Sequence, residues 1–267
     1  MKVFGTDFSG ARNPSRGIYY AEGSLNGQTL NLERVVHCDD RLDLLMATHF
    51  SKAPWGLDFP FSIPAEAYRL LKLKGWEELL KLAVEKGRNG FEQYLESGGL
   101  PGCEAKYRGG SACCRFTDAA VQAFSPLKQT NPNMRMMTYS GLKLLCYLRQ
   151  LGHRVYPFDQ FNVAVSRLYE VYPSWGWRQM GVKRRKAQLP TFTERIHERF
   201  GLEVKGLAGC SLSAMESDDA ADAVVACVCL ALSLADGKLE PEWERQPVWA
   251  SDAEWANRLI EGLVIKK

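Results

Sequence analysis

Asp7 and Asp58 each close a short apolar run, in Gly5-Thr6-Asp7-Phe8-Ser9-Gly10 and Trp55-Gly56-Leu57-Asp58-Phe59-Pro60. Asp218, Asp219 and Asp222 open a third stretch, Asp218-Asp219-Ala220-Ala221-Asp222-Ala223, which continues as unbroken apolar sequence to Leu232. Apolar strands and helices exclude charge, because an unpaired buried carboxylate is costly. Acids kept in such places share one plausible destination, a metal site at the edge of a sheet. Two neighbouring carboxylates raise each other's pKa or recruit a cation. Hard divalent ions such as Mg²⁺ or Mn²⁺ prefer oxygen ligands and keep several waters. Ions held in such a centre can activate water and stabilise a leaving oxygen without a covalent nucleophile.

The elements that must position these acids are legible in outline. Residues 2–8 read as a first strand. Residues 17–25 and 29–38 form a hairpin about Asn26-Gly27, a strong two-residue turn signal. A helix over 40–50 and a buried strand over 55–58 follow. Residues 64–100 have helical spacing, and the Gly-rich loop over 98–110 lacks the Lys-Ser/Thr ending of a P-loop. A helix over 140–151 stops at Gly152. Strands over 153–158 and 167–172 follow, the second halted by Pro173. A helix covers 193–200, and a last long helix runs over 213–234, opened by the capping box Ser213-Ala214-Met215-Glu216. This order predicts an α/β fold with a mixed sheet flanked by helices. It spans residues 1–267 as one domain with a helical insertion over about 64–152. A dinucleotide-binding fold is excluded, since no helix and no G-x-G-x-x-G follow the first strand.

Asp7 and Asp58 then lie at carboxyl ends of strands, where ligand sites of open α/β sheets gather. On adjacent strands they would face each other across about 5 Å. Asp219 and Asp222 share a helix face, and Asp218 and Asp222 nearly do. Simpler readings stand beside these. Asp218 and Asp219 complement a helix dipole, and Asp7 and Asp58 are ordinary turn-openers. Asp222 lies a turn further in, where the dipole fades and Asp is a poor helix former.

Together, Gly5-Thr6-Asp7, Leu57-Asp58-Phe59-Pro60 and Asp218-Asp219-Ala220-Ala221-Asp222-Ala223 resemble the RNase H-like superfamily, and within it the domain-of-unknown-function 429 group of predicted RNase H-fold nucleases. The helix motif is also similar to that of RuvC-type junction resolvases. The resemblance implies a five-stranded mixed sheet opening with three antiparallel strands. It implies Asp7 as first-strand metal ligand, Asp58 as the acid of strand four, and Asp219 with Asp222 as the final helix pair, together holding two Mg²⁺ or Mn²⁺ ions. Glu170, in Leu168-Tyr169-Glu170-Val171-Tyr172-Pro173, resembles the group's Glu-x-x-Pro element. Three roles stay open for it: metal ligand, substrate contact, or partner of Arg178.

Nucleic acid is the partner this implies, and the basic residues are read accordingly. Lys183-Arg184-Arg185-Lys186 is the densest basic run, and Arg115 and Lys128 precede the middle helix. Such groups contact phosphates without reading sequence and confer salt dependence; a solvated surface is the alternative for the run. Tyr172, Trp175 and Trp177 suit base stacking or core packing. The net charge of +3 and pI near 8.4 leave a nucleic-acid partner open without demanding one. Of eight cysteines, Cys103, Cys113 and Cys114 cluster, but their spacing is not that of a zinc site. With no signal peptide and no run of about 18 apolar residues, the expectation is a reduced cytoplasmic protein with no membrane contact. His37, His49, His153 and His197 are scattered and read as structural. Two other functions stay open: a nucleotide-binding phosphotransferase of related sheet topology, and a non-catalytic binding protein of the same fold.

Overall fold

The computed structural model describes residues 1–13, 17–100, 114–130, 133–159, 166–208, 217–235, 246 and 250–265. β1 (Lys2–Asp7), β2 (Tyr19–Asn26) and β3 (Thr29–His37) form an antiparallel meander. β4 (Trp55–Asp58) adds parallel to β1, β6 (Arg167–Glu170) adds to β4, and the short β5 (Arg154–Val155) adds to β6. β7 (Glu203–Lys205) lies parallel to β3. The result is a seven-stranded mixed sheet in the order β5-β6-β4-β1-β2-β3-β7. The resemblance implies five strands; of the two outermost ones, β5 lies within the strand expected over 153–158, and β7, of three residues, is too short to carry an alternating pattern. The hairpin turn itself is Gly27-Gln28, since Asn26 pairs with Thr29, and Gly27 takes the positive φ of 55° that the turn needs.

Helices cover both faces. α1 (Arg41–Ser51), α2 (Ala65–Leu71), α3 (Trp76–Ser97) and α5 (Met134–Gln150) bury Phe4, Tyr20, Trp55, Leu57 and Leu168. Between α3 and α5 in the chain lies α4 (Phe116–Val121). α6 (Pro173–Gln179), α7 (Leu189–Phe200) and α8 (Asp218–Ala235) bury Val3, Ala21, Tyr169 and Val171 on the opposite face. α9 (Asp252–Glu261) comes last. Successive strand residues thus alternate between two cores.

Several boundaries differ from expectation for local reasons. The helical run over 64–100 is two helices, and α3 itself turns at Gly87 (φ 65°). α5 starts at Met134 because Asn133 accepts from the Met136 N–H. Pro173 starts α6 instead of ending structure, as proline suits a first helical turn. Residues 209–216, with the expected capping box, and 101–113, with Cys103, Cys113 and most of the Gly-rich loop, lie outside the described residues. None of the five described cysteines is disulfide-bonded. Among the described residues no helix is long and apolar enough to cross a membrane.

Among the described glycines, Gly5 of β1 has the least room for a side chain. A Cβ on Gly5 would lie 1.9 Å from the backbone nitrogen of Cys227 in α8. Gly5→Ala should cost about 3 kcal/mol or more by forcing strand and helix apart. Gly75→Ala, with open space around it, should stay within about 1 kcal/mol, and chemical denaturation compares the two.

His153 follows α5, buried, with Nε2 at 3.3 Å from His49 Nδ1. Its own Nδ1 has no hydrogen-bond partner among the described residues. Burial first, then the His49 and Lys52 charges, push its pKa down to about 4. An unfolded histidine titrates near ~6.5, so between these values the folded state binds fewer protons. This contribution to stability is complete above about pH 6.5 and declines as pH falls toward about 4. Urea midpoints measured across that window should fall for the wild type and fall less for His153→Gln.

Candidate active site

The acids are assembled by two glycines. In the parallel β1–β4 pair, Gly5 is the register partner of Gly56 and Asp7 the partner of Asp58. Each strand therefore carries Gly-x-Asp in step, and the period of two puts all four residues on one face. That face receives α8. Besides the Gly5 contact, a Cβ on Gly56 would lie 3.4 Å from Ala226 O and 2.9 Å from Val171 Cγ1. The helix backbone rests on the sheet with no room for side chains between them. From Cys227 back to Asp222 is about 7.5 Å of helix, and from Gly5 to Asp7 about 6.7 Å of strand. Asp222 therefore arrives level with Asp7 and Asp58. The repeated Gly-x-Asp was present in the sequence and is the signal that pairs the strands and seats the helix.

The cluster is electrostatically unbalanced. Asp7 is 8% exposed and Asp222 fully buried. Among the described residues, no side-chain or backbone donor hydrogen-bonds the carboxylates of Asp7 or Asp58. Burial first, then Asp58, Asp222 and Asp219, raise the Asp7 pKa well above the ordinary carboxylate value. Burial and Asp222 do the same for Asp58. Asp222 is raised by burial, against the opposing pull of Arg184 and Trp177. Trp177 Nε1 donates to Asp222 Oδ1 at 2.6 Å, which orients the carboxylate and leaves Oδ2 facing the Arg184 guanidinium as an ion pair. Asp218 stands apart, exposed, and accepts from the Lys186 backbone N–H at 2.9 Å.

These acids floor a cleft of about 420 Å³ lined by Asp7, Asp58, Asp219 and Arg184. One wall is the turn after β1, Ser9-Gly10-Ala11, whose carbonyls accept from Arg41 and Arg88. The facing wall is the first turn of α5, including Met134 and Met137, with Phe124 and Tyr172 completing the rim. Gly10 is required there, since a Cβ would lie 2.4 Å from the Met137 backbone. Ser9 serves this turn, accepting from Ala11 N–H at 3.2 Å, and also lines the cleft.

As a donor set for a divalent ion, the residues fit in kind: all offer carboxylate oxygens, Asp7 and Asp222 buried and Asp58 and Asp219 half-buried, close enough to repel one another. They do not form a closed cage as they stand. Among the described residues no group of three or more His, Cys, Asp or Glu side chains is set to hold a metal.

Several expected site residues lie elsewhere. Glu170 pairs with Leu57 across β4–β6, so its side chain falls on the face opposite Asp58. It is not a member of the acid cluster, and it pairs with Arg115, not Arg178. Arg115 Nη1 and Nη2 donate to its two oxygens at 2.8 and 2.5 Å, and Phe61 N–H adds a third bond at 3.0 Å. Arg115, read as a phosphate contact, is 1% exposed and also grips Asp118 through Nε and Nη2. Burial works against its charge, and Asp118 and Glu170 outweigh burial, so it holds its proton more tightly than usual. This is an internal clamp joining α4 to β6. Lys128 is likewise turned inward, donating to Thr130 O at 3.3 Å and lying 4.5 Å from the Phe124 ring centre. Of the basic run, Arg184 pairs with Asp222. Lys183 and Arg185 are exposed and do not line the cleft, and Lys186 borders a separate groove with His197. The aromatic trio divides: Tyr172 lines the cleft, Trp175 packs near Val121 and Val264, and Trp177 holds Asp222.

Set against protein-family models, curated proteins and solved structures, the chain matches none of them.

The clamp reading of Arg115 has a measurable consequence. Arg115→Met leaves Glu170 and Asp118 buried without their counter-charge and should cost about 3–5 kcal/mol in denaturant titrations. Lys183→Met, at an exposed position, should stay within about 0.5 kcal/mol.

Proposed function

We propose that the protein is a metal-dependent hydrolase of phosphodiester bonds, acting on nucleic acid, built on an RNase H-like sheet. The observation that carries the reading is the in-register pair Asp7 and Asp58 at the ends of β1 and β4, with Asp219 of α8 on the same cleft and the buried Asp222 close enough for its charge to act on both. The inner strands support it too: the mixed sheet opens with three antiparallel strands, as the sequence resemblance implies.

Asp7, Asp58, Asp219 and Asp222 are the residues that would hold Mg²⁺ or Mn²⁺. When bound, such ions supply an activated water and charge stabilisation of the leaving oxygen. The chain's own residues do the remaining work. Trp177 fixes the rotation of Asp222. Arg88 and Arg184, on the cleft lining, offer positive charge to a phosphate. Phe8, Phe124, Tyr172 and the α5 methionines give an apolar wall against which a base can rest. No side-chain nucleophile is called for.

Asp7→Asn should abolish Mn²⁺-dependent cleavage in a panel of single-stranded, duplex and branched DNA and RNA. Because it removes a charge from a mutually repelling group, the variant should melt no lower than the wild type, with a gain of about 1 kcal/mol. Cleavage that survives in Asp7→Asn with wild-type metal dependence defeats the assignment.

A further inference from the structure

We infer that Arg184 is an exchangeable counter-ion: its guanidinium occupies the acid cluster in the metal-free protein and is displaced to the cleft rim when a divalent cation binds. The inference rests on the proposed metal site and concerns how that site is held before it is loaded.

The contrast between two arginines carries it. Arg115 is 1% exposed and spends its donors on Asp118, Glu170 and the Glu261 carbonyl, every one within 3.1 Å. It is saturated and permanent. Arg184 reaches its acid from irregular chain between α6 and α7, and its side chain remains 49% exposed. Among the described residues it pairs with Asp222 Oδ2, without the paired, fork-shaped geometry that Arg115 makes with Glu170. Yet it is the cation that offsets charge on Asp7, Asp58 and Asp222 alike. One half-solvated guanidinium thus acts on three carboxylates, with Asp219 on the same cleft lining. A compact divalent ion is the stronger competitor for that position. The loop would not have to unfold for the exchange, because the Lys186 N–H stays tied to Asp218 and only the Arg184 side chain needs to swing. Once released, the guanidinium remains on the cleft lining, free for a substrate phosphate. Metal loading and phosphate affinity are then coupled with the same sign in both directions.

The test is Mn²⁺ titration of the whole protein by calorimetry, with no substrate present. If the ion pair is closed about nine-tenths of the time, Arg184→Gln binds Mn²⁺ about tenfold more tightly than the wild type. Arg184→Lys keeps a cation in place and stays within about threefold of wild type. Lys183→Gln, one residue away but exposed and screened, changes affinity by less than about twofold. As a second readout, metal-free Arg184→Gln melts below the metal-free wild type, and Mn²⁺ raises its Tm by more. Equal or weaker Mn²⁺ binding by Arg184→Gln, with binding lost in Asp7→Asn, overturns the exchange and leaves the metal site standing. So does an equal gain in Lys183→Gln, which reduces the effect to general charge. Wild-type Mn²⁺ binding by Asp7→Asn overturns both the exchange and the site it rests on.

Discussion

Everything in the cleft depends on α8 lying directly on the backbone of β1 and β4. Gly5 and Gly56 make that approach possible, since any side chain at Gly5 would collide with Cys227. The contact sets the height of the helix above the sheet and its position along the strands. Both matter for Asp222, which is buried inside an apolar helix and has value only if it meets Asp7 and Asp58. The alanines, valines and cysteines that follow it are small enough to let the helix sink. Trp177 from α6 then closes the arrangement by fixing one carboxylate oxygen.

The same sheet separates two ionic systems of opposite character. On the α8 face, carboxylates outnumber cations and have few donors, so burial and mutual repulsion hold their pKa values high. On the other face, Arg115 satisfies Glu170 and Asp118 with short, paired bonds. One is built for stability and the other carries an unmet demand for positive charge. Burying charge with its partners supplied is tolerable, and burying it without them is costly unless a ligand answers. That difference distinguishes a structural ion cluster from a site more clearly than the number of acids does.

Much of the fold was legible locally. The opening strand and hairpin, the strand ending in Asp58 and the apolar helix α8 follow from alternation, turn chemistry and unbroken hydrophobicity. The strand expected over 153–158 is present only as the two-residue β5, and the edge strand β7 was not legible, because three residues cannot display a period. The start of α6 at Pro173 was misread, because proline both ends and begins structure. Among site residues, Asp7, Asp58, Asp219 and Asp222 were marked by charge in apolar surroundings, which is a local anomaly. Arg115, Lys128 and Glu170 misled for the same reason in reverse: charge type names a possible role, and only burial and partner tell which is in force.

The chain's own pattern was sufficient to say that acids sit at strand ends and on a buried helix, since period and polarity are properties of neighbouring residues. Which acids share a face was settled only in three dimensions. Glu170 was lost to the opposite side by the parity of its register with Leu57, and Arg184 was drawn in while Lys183 and Arg185 stayed out. Register and helix docking are set by packing between segments far apart in sequence, and no local pattern encodes them.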